Sequence, residues 1–100
     1  MNIQKMMKQA AKMQEQLTAS LAEKTIEVSV GGEKVTVTAN GLGDIVGIKI
    51  AKEVVDPEDV EMLEDLILSG VKQAIEKGKG MAQTEMGRLT SGLGLPPGML

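Results

Sequence analysis

The sequence predicts an α+β protomer: a long N-terminal helix, a three-stranded antiparallel sheet and a long C-terminal helix. Three observations carry that reading. Apolar residues recur at helical spacing from Ile3 to Leu21. Three runs between Thr25 and Ile50 alternate with period two, separated by glycine-rich turns. Asp56-Pro57-Glu58-Asp59 then opens a second helical stripe.

The first helix is expected from about Asn2 to about Ala22. On a 3.6-residue wheel Ile3, Met6, Met7, Ala10, Met13 and Leu17 form one apolar stripe, which also fits the 3.5-residue period of a helix meeting a partner helix. Lys5, Lys8 and Lys12 line up roughly 150° away from that stripe. No acid precedes Glu15, so this end of the chain is cationic.

Thr25–Val30 places Ile26, Val28 and Val30 on one face of a strand. Gly31-Gly32-Glu33 makes a short turn, and Lys34–Ala39 returns with Val35 and Val37 inward, completing a hairpin. Asn40-Gly41-Leu42-Gly43-Asp44 is a second turn. It leads into Ile45–Ile50, where strict alternation groups Val46, Ile48 and Ile50 on an apolar face to be covered by helix. The connections are too short for crossovers, so the meander is antiparallel.

Asp56 reads as an N-cap, Pro57 as the first helical residue and the following acids as a favourable first turn. The helix beyond carries Val60, Leu63, Ile67, Val71, Ala74, Gly78 and Met81 as its stripe. Small residues at Gly70, Ala74 and Gly78 permit close approach to a sheet or a second helix. Gly78 and Gly80 each cost about 1 kcal/mol relative to Ala, so a bend is expected there. Residues from Ser91 on read as an irregular tail of a single domain spanning 1–100.

Composition removes whole classes of function. The 100 residues include no His, Cys, Phe, Tyr or Trp, which excludes Ser-His-Asp and Cys-His nucleophile systems, the usual zinc sites and disulfides. Ser69-Gly70-Val71-Lys72 matches an acyl-enzyme spacing without its companion motifs. Gly41-Leu42-Gly43 is a fragment of a dinucleotide fingerprint leading into a strand, and Gly78-Lys79-Gly80 is no P-loop. Glu58, Asp59, Glu61, Glu64 and Asp65 have the oxygen ligands a divalent cation takes, but acids at a helix N-terminus already interact favourably with its dipole. We expect no catalytic residue, no metal, no cofactor and no small-molecule substrate. No stretch approaches the ~20 apolar residues of a membrane span, and no secretory h-region is present, so a cytoplasmic protein is expected.

With a core limited to aliphatic side chains and eight Met, part of the burial is expected between subunits, most simply in a two-fold homodimer. The net charge of −3 is uneven: +3 over residues 1–14, −1 over 15–52, −7 over 53–65 and +2 over 66–100. Lys72 and Lys79 point away from the stripe of the last helix, with Lys77 and Arg88 to one side and Glu76 between them. These groups and the lysines of the first helix are suited to touch phosphates. With Arg88 the sole arginine and no aromatics, the chemistry favours duplex backbone over base edges or stacked single strands. An alternative is a chaperone-like or protein-interaction module, to which adaptable Met side chains are suited. Attachment of the basic first helix to a membrane surface is disfavoured by the lack of Trp and Phe.

Four segments in order resemble the YbaB/EbfC family of bacterial nucleoid-associated proteins. They are Met7-Lys-Gln-Ala-Ala-Lys-Met-Gln-Glu-Gln-Leu17, Val35-Thr-Val-Thr-Ala-Asn-Gly41 with Ile45–Ile50, Glu61-Met-Leu-Glu-Asp-Leu-Ile67, and Ser91-Gly-Leu-Gly-Leu-Pro-Pro-Gly-Met99. The resemblance implies an intertwined homodimer with helices projecting like tweezers. It also implies binding of double-stranded DNA in the nucleoid, with a role in nucleoid organisation or gene regulation. Contacts attributed to the first and last helices map onto Lys5, Lys8 and Lys12, and onto Lys72, Lys77 and Lys79. Where some members carry a basic pair, this chain has Glu76-Lys77.

Overall fold

A computed structural model of the chain describes residues 2–92, with side chains as far as Arg88. Its elements run α1 (Ile3–Glu23), β1 (Thr25–Val30), β2 (Val35–Asn40), β3 (Ile45–Ile50), a short 3-10 turn (Lys52–Val54) and α2 (Val60–Gly92). The strands form one antiparallel sheet in the order β1-β2-β3. This is the α+β architecture the sequence predicts.

The β1–β2 ladder is regular from Thr25↔Asn40 to Val30↔Val35. Its connection, residues 31–34, turns on three successive positive φ angles at Gly31, Gly32 and Glu33. One sheet face is polar, with the Ser29 and Thr36 hydroxyls 2.9 Å apart. The other holds the core: Val28, Val35, Val37 and Ala39, closed by Val54 and by Ala74 of α2. Val35 and Val37 are completely buried, as their alternation predicts.

β3 departs from strict alternation. The register runs from Val35↔Ile50 to Thr38↔Gly47 and then skips to Ala39↔Ile45, leaving Val46 as the extra residue of a bulge. Ile45 therefore joins the core, while Val46 is exposed. Ile48 and Ile50 pair with Val37 and Val35 and share their face, yet remain 46% and 40% exposed. α2 lies over β1 and β2, so the expected helical cover does not reach β3 within this chain.

The small residues of α2 act as spacers against the sheet. A Cβ at Gly70 would lie 2.8 Å from Val37 Cγ2, and one at Gly78 only 2.4 Å from the Asn40 carbonyl oxygen. Between them Ala74 is fully buried. α2 is a continuous helix through Gly78 and Gly80, where tight packing on the sheet offsets the low propensity of Gly78. α2 also begins later than the sequence suggests. Asp56 accepts a hydrogen bond from the Glu58 amide (2.9 Å), making a turn of residues 56–59, and Asp59 is the residue that caps, accepting from the Met62 amide at 3.3 Å. Ser91 and Gly92 belong to α2 rather than to a tail, and residues 93–100 of the expected tail lie outside the described residues.

Two substitutions in α2 should have opposite signs. Gly78→Ala drives a methyl into a backbone carbonyl and is expected to destabilise the fold by about 1–3 kcal/mol. Gly80→Ala has open space and should stabilise by about 0.5–1 kcal/mol. Urea denaturation of both variants beside the wild type measures this.

Candidate nucleic-acid interface

The cationic face of α1 is fixed from its first turn. Asn2 adopts an extended cap conformation and its Oδ1 accepts the Lys5 amide at 3.3 Å, so helical phase is set just ahead of the lysines. Lys5, Lys8 and Lys12 are exposed along one side of the helix. Among the described residues none of them is ion-paired; the paired cations are Lys24, Lys34 and Arg88. Three ammonium groups without a carboxylate partner leave their full charge available to an anion.

α1 is anchored only at its C-terminal end. Leu21 is buried, and the Gly41 amide donates to the carbonyls of Leu21 (2.9 Å) and Lys24 (3.1 Å). Beyond that anchor the helix leaves the body. A 21-residue helix is about 31 Å long, longer than either short dimension of a molecule that measures 68 × 24 × 16 Å. Ile3, Met6, Met7 and Met13 are 49–71% exposed, so the apolar stripe finds no partner inside its own chain.

The second cationic set lies along α2. Lys72 and Lys79 are exposed. A methyl on Gly43 would lie 3.6 Å from Lys79 Cγ and Cε, so the stem of that lysine runs along the β2–β3 turn. Lys77 and Lys79 both border a shallow groove with Ile26, Gln73 and Gly80. Arg88 is 3.6 Å from Glu85, whose carboxylate is also held by Lys24 Nζ at 2.5 Å. Among the described residues no hydrogen bond or ion pair links the α1 lysines to this set. The structure thus provides separated cationic surfaces rather than one convergent site.

Lys24 and Glu85 were not singled out by sequence reasoning, and no local pattern relates residues so far apart. Their contact joins the α1–β1 junction to α2. Lys24 donates a hydrogen bond that holds the Glu85 carboxyl below its ordinary value near 4.5, partial desolvation opposes this, and the charges of Lys24 and Arg88 add to the lowering.

The Ser69 hydroxyl lies 3.0 Å from Gln73 Nε2 as its hydrogen-bond acceptor, and Lys72 is not its partner. Among the described residues no three His, Cys, Asp or Glu side chains converge to hold a metal ion. Among them, too, no helix is long and apolar enough to cross a membrane.

Comparison with known proteins gives a consistent result. Residues 1–93 match the profile of the YbaB/EbfC DNA-binding family. A protein of Ruminiclostridium cellulolyticum named nucleoid-associated protein is 52% identical, the match covering 98% of this chain and 88% of that one. One of the same name from Acetivibrio thermocellus is 50% identical over 98% of this chain and 89% of its own. The crystal structure of an uncharacterized protein from Helicobacter pylori shares the fold, with a TM-score of 0.64 over 81% of this chain and 94% of that one, at 21% identity.

The Lys24–Glu85 contact has a defined pH dependence. A carboxyl whose folded value lies below its unfolded value contributes stability that is in place above the unfolded value and is lost as pH falls through the folded one. The difference in thermal midpoint between wild type and Glu85→Gln should therefore be constant well above the ordinary value near 4.5 and shrink as pH falls below it. A difference that grew on acidification would contradict this assignment.

Proposed function

We propose that this chain, which belongs to the YbaB/EbfC DNA-binding family, is a non-enzymatic nucleoid-associated protein that holds duplex DNA through its phosphates as a homodimer. The observation that carries the reading is the exposed face of Lys5, Lys8 and Lys12, free of ion pairs among the described residues on a helix that projects from the body. Ammonium groups are point charges that neutralise phosphates without reading sequence. Lys72, Lys77 and Lys79 would add contacts from α2. Arg88 would contribute less, because Glu85 already shares its charge.

Affinity without strong sequence preference follows from the side chains present. Bidentate recognition of guanine requires a free guanidinium, and stacking on unpaired bases requires aromatic rings; the chain has one arginine and no aromatic residue. The acidic block of residues 53–65 would repel DNA, so the duplex approaches along the helices rather than over the start of α2. Two copies related by a two-fold axis present the α1 face twice, which suits attachment at separated points on a duplex. Relatives named nucleoid-associated proteins support this reading, and nucleoid organisation or gene regulation is the role that fits.

The test is affinity for a duplex fragment as a function of salt, for wild type beside the Lys5/Lys8/Lys12→Ala variant. Each phosphate contact contributes about 0.9 to the slope of log K against log salt. The variant should bind more weakly at low salt, with a slope shallower by up to about 2.7 per protomer. Binding that persists at high salt, or a variant indistinguishable from wild type, would remove the phosphate-contact reading and favour a protein-binding module.

A further inference from the structure

One carboxylate at the base of α1 faces two cations. Glu85 Oε1 lies 2.5 Å from Lys24 Nζ and 3.6 Å from Arg88 Nη1. Both cations converge on the same oxygen, so a single anionic oxygen is enough to reach them together. The cluster holds two positive charges against one negative, and it is open to water: the Lys24 and Arg88 side chains are 40% and 75% exposed. The Arg88 contact is longer than a hydrogen bond, and the guanidinium carries a fork of donors that matches a phosphate. Among the described residues neither cation has a second carboxylate partner. Lys24 caps the end of α1, while Glu85 and Arg88 lie on α2 beyond Gly78, where that helix passes the end of β2 at Asn40. The cluster thus sits at the junction of the two helices that carry the other lysines.

We propose that Glu85 is an internal substitute for a DNA phosphate: it keeps Lys24 and Arg88 closed as a latent phosphate site, and a phosphate of the duplex displaces it. The inference rests on the phosphate-contact reading above and adds the residue that sets the strength of binding. A phosphodiester oxygen and a carboxylate oxygen carry the same sign of charge and accept from the same donors, so the exchange is chemically even. Ion pairs in so solvated a setting contribute little, so giving this one up costs little. The fold does not need it to hold α1. Buried Leu21 and the Gly41 amide, which donates to the carbonyls of Leu21 and Lys24, already fasten the end of that helix. The backbone of Lys24 is therefore fixed while its ammonium is free to change partners.

A tethered carboxylate yields only to an anion held at high local concentration. A duplex carries one negative charge per about 1.7 Å of its axis, and one already touching the α1 lysines presents its next phosphates to the base of the helix as an intramolecular ligand. Glu85 thus makes Lys24 and Arg88 respond to DNA that α1 has first captured, and it lowers the affinity by the work of its own displacement. Glu23 supplies the contrast. It is an exposed acid beside Lys24 and takes part in no ion pair among the described residues. Its removal changes the net charge equally without opening the cluster.

The test uses the full chain and a duplex DNA fragment at low salt. Arg88 is the only arginine, so its side-chain Nε–H gives one nitrogen-15 resonance that reports on this cluster alone. In wild type, saturating duplex is expected to shift that resonance. Glu85→Gln should bind duplex about two- to fivefold more tightly per protomer, and Glu23→Gln should gain less. Adding Lys24→Ala and Arg88→Ala to Glu85→Gln should abolish the gain. An Arg88 signal indifferent to saturating duplex overturns the latent site, and so does a Glu85→Gln gain that is absent or is equalled by Glu23→Gln. Either result leaves the contacts of Lys5, Lys8 and Lys12 standing. A wild type that binds no duplex overturns both readings. The wild-type Arg88 signal decides the matter even where a variant fails to fold.

Discussion

The fold depends on how closely the backbone of α2 approaches β2. Gly70, Ala74 and Gly78 recur every four residues, so the contact row runs straight along one side of the helix. Where Gly78 meets the Asn40 carbonyl there is no room for even a methyl group. This approach lets a core of Val and Ala close without any aromatic side chain, because the space between helix and sheet is thin enough for small residues to fill it. The same region gathers the rest of the chain. Asn40 is buried, its Oδ1 accepts the amides of Leu42 and Asp44, and the adjacent Gly41 amide fastens the end of α1. Helix, turn and arm meet at one point.

Such a thin core has a limit. It covers β1, β2 and Ile45, leaving Val46, Ile48 and Ile50 of β3 and Ile3, Met6, Met7 and Met13 of α1 in contact with water. Isolated exposed apolar residues are ordinary; a helix-long row of them is the mark of an interaction surface. The charged and apolar faces of α1 are separated around the helix, so packing and electrostatic contact need not compete for the same side chains.

Much of this was legible in the residues. Period-two alternation located all three strands, and the inward placement of Val35 and Val37 followed from it directly. The small-residue row on α2 announced a close approach, although spacing alone could not say that its target was the sheet. What stayed hidden depended on competition between near-equal local choices. Asp56-Pro57 and Asp59 both suit a helix start; the chain spends the first aspartate on a turn and the second on the cap. The bulge at Val46 shifts Ile45 inward, because Asn40 sets the length of the β2–β3 turn and the ladder must adjust within a few residues. The glycine at position 78 looked like a weak point when judged by propensity, and tertiary contact reverses its meaning. For the cationic surface, the face shared by Lys5, Lys8 and Lys12 was visible as periodicity. The partial neutralisation of Arg88 was not, since Lys24 and Glu85 are brought together only by the fold.

The turn at Asn40-Gly41 also bears on chemical ageing. In a flexible chain, an asparagine followed by glycine is prone to deamidation, because the next backbone nitrogen can attack the side-chain carbonyl and form a succinimide. Here that nitrogen, on Gly41, donates to two carbonyls, and the asparagine side chain is held by two further amides. Attack would require both sets of bonds to open together. The folded protein thus shields its own most labile bond, and accumulated deamidation at this position would record how often the turn has come apart.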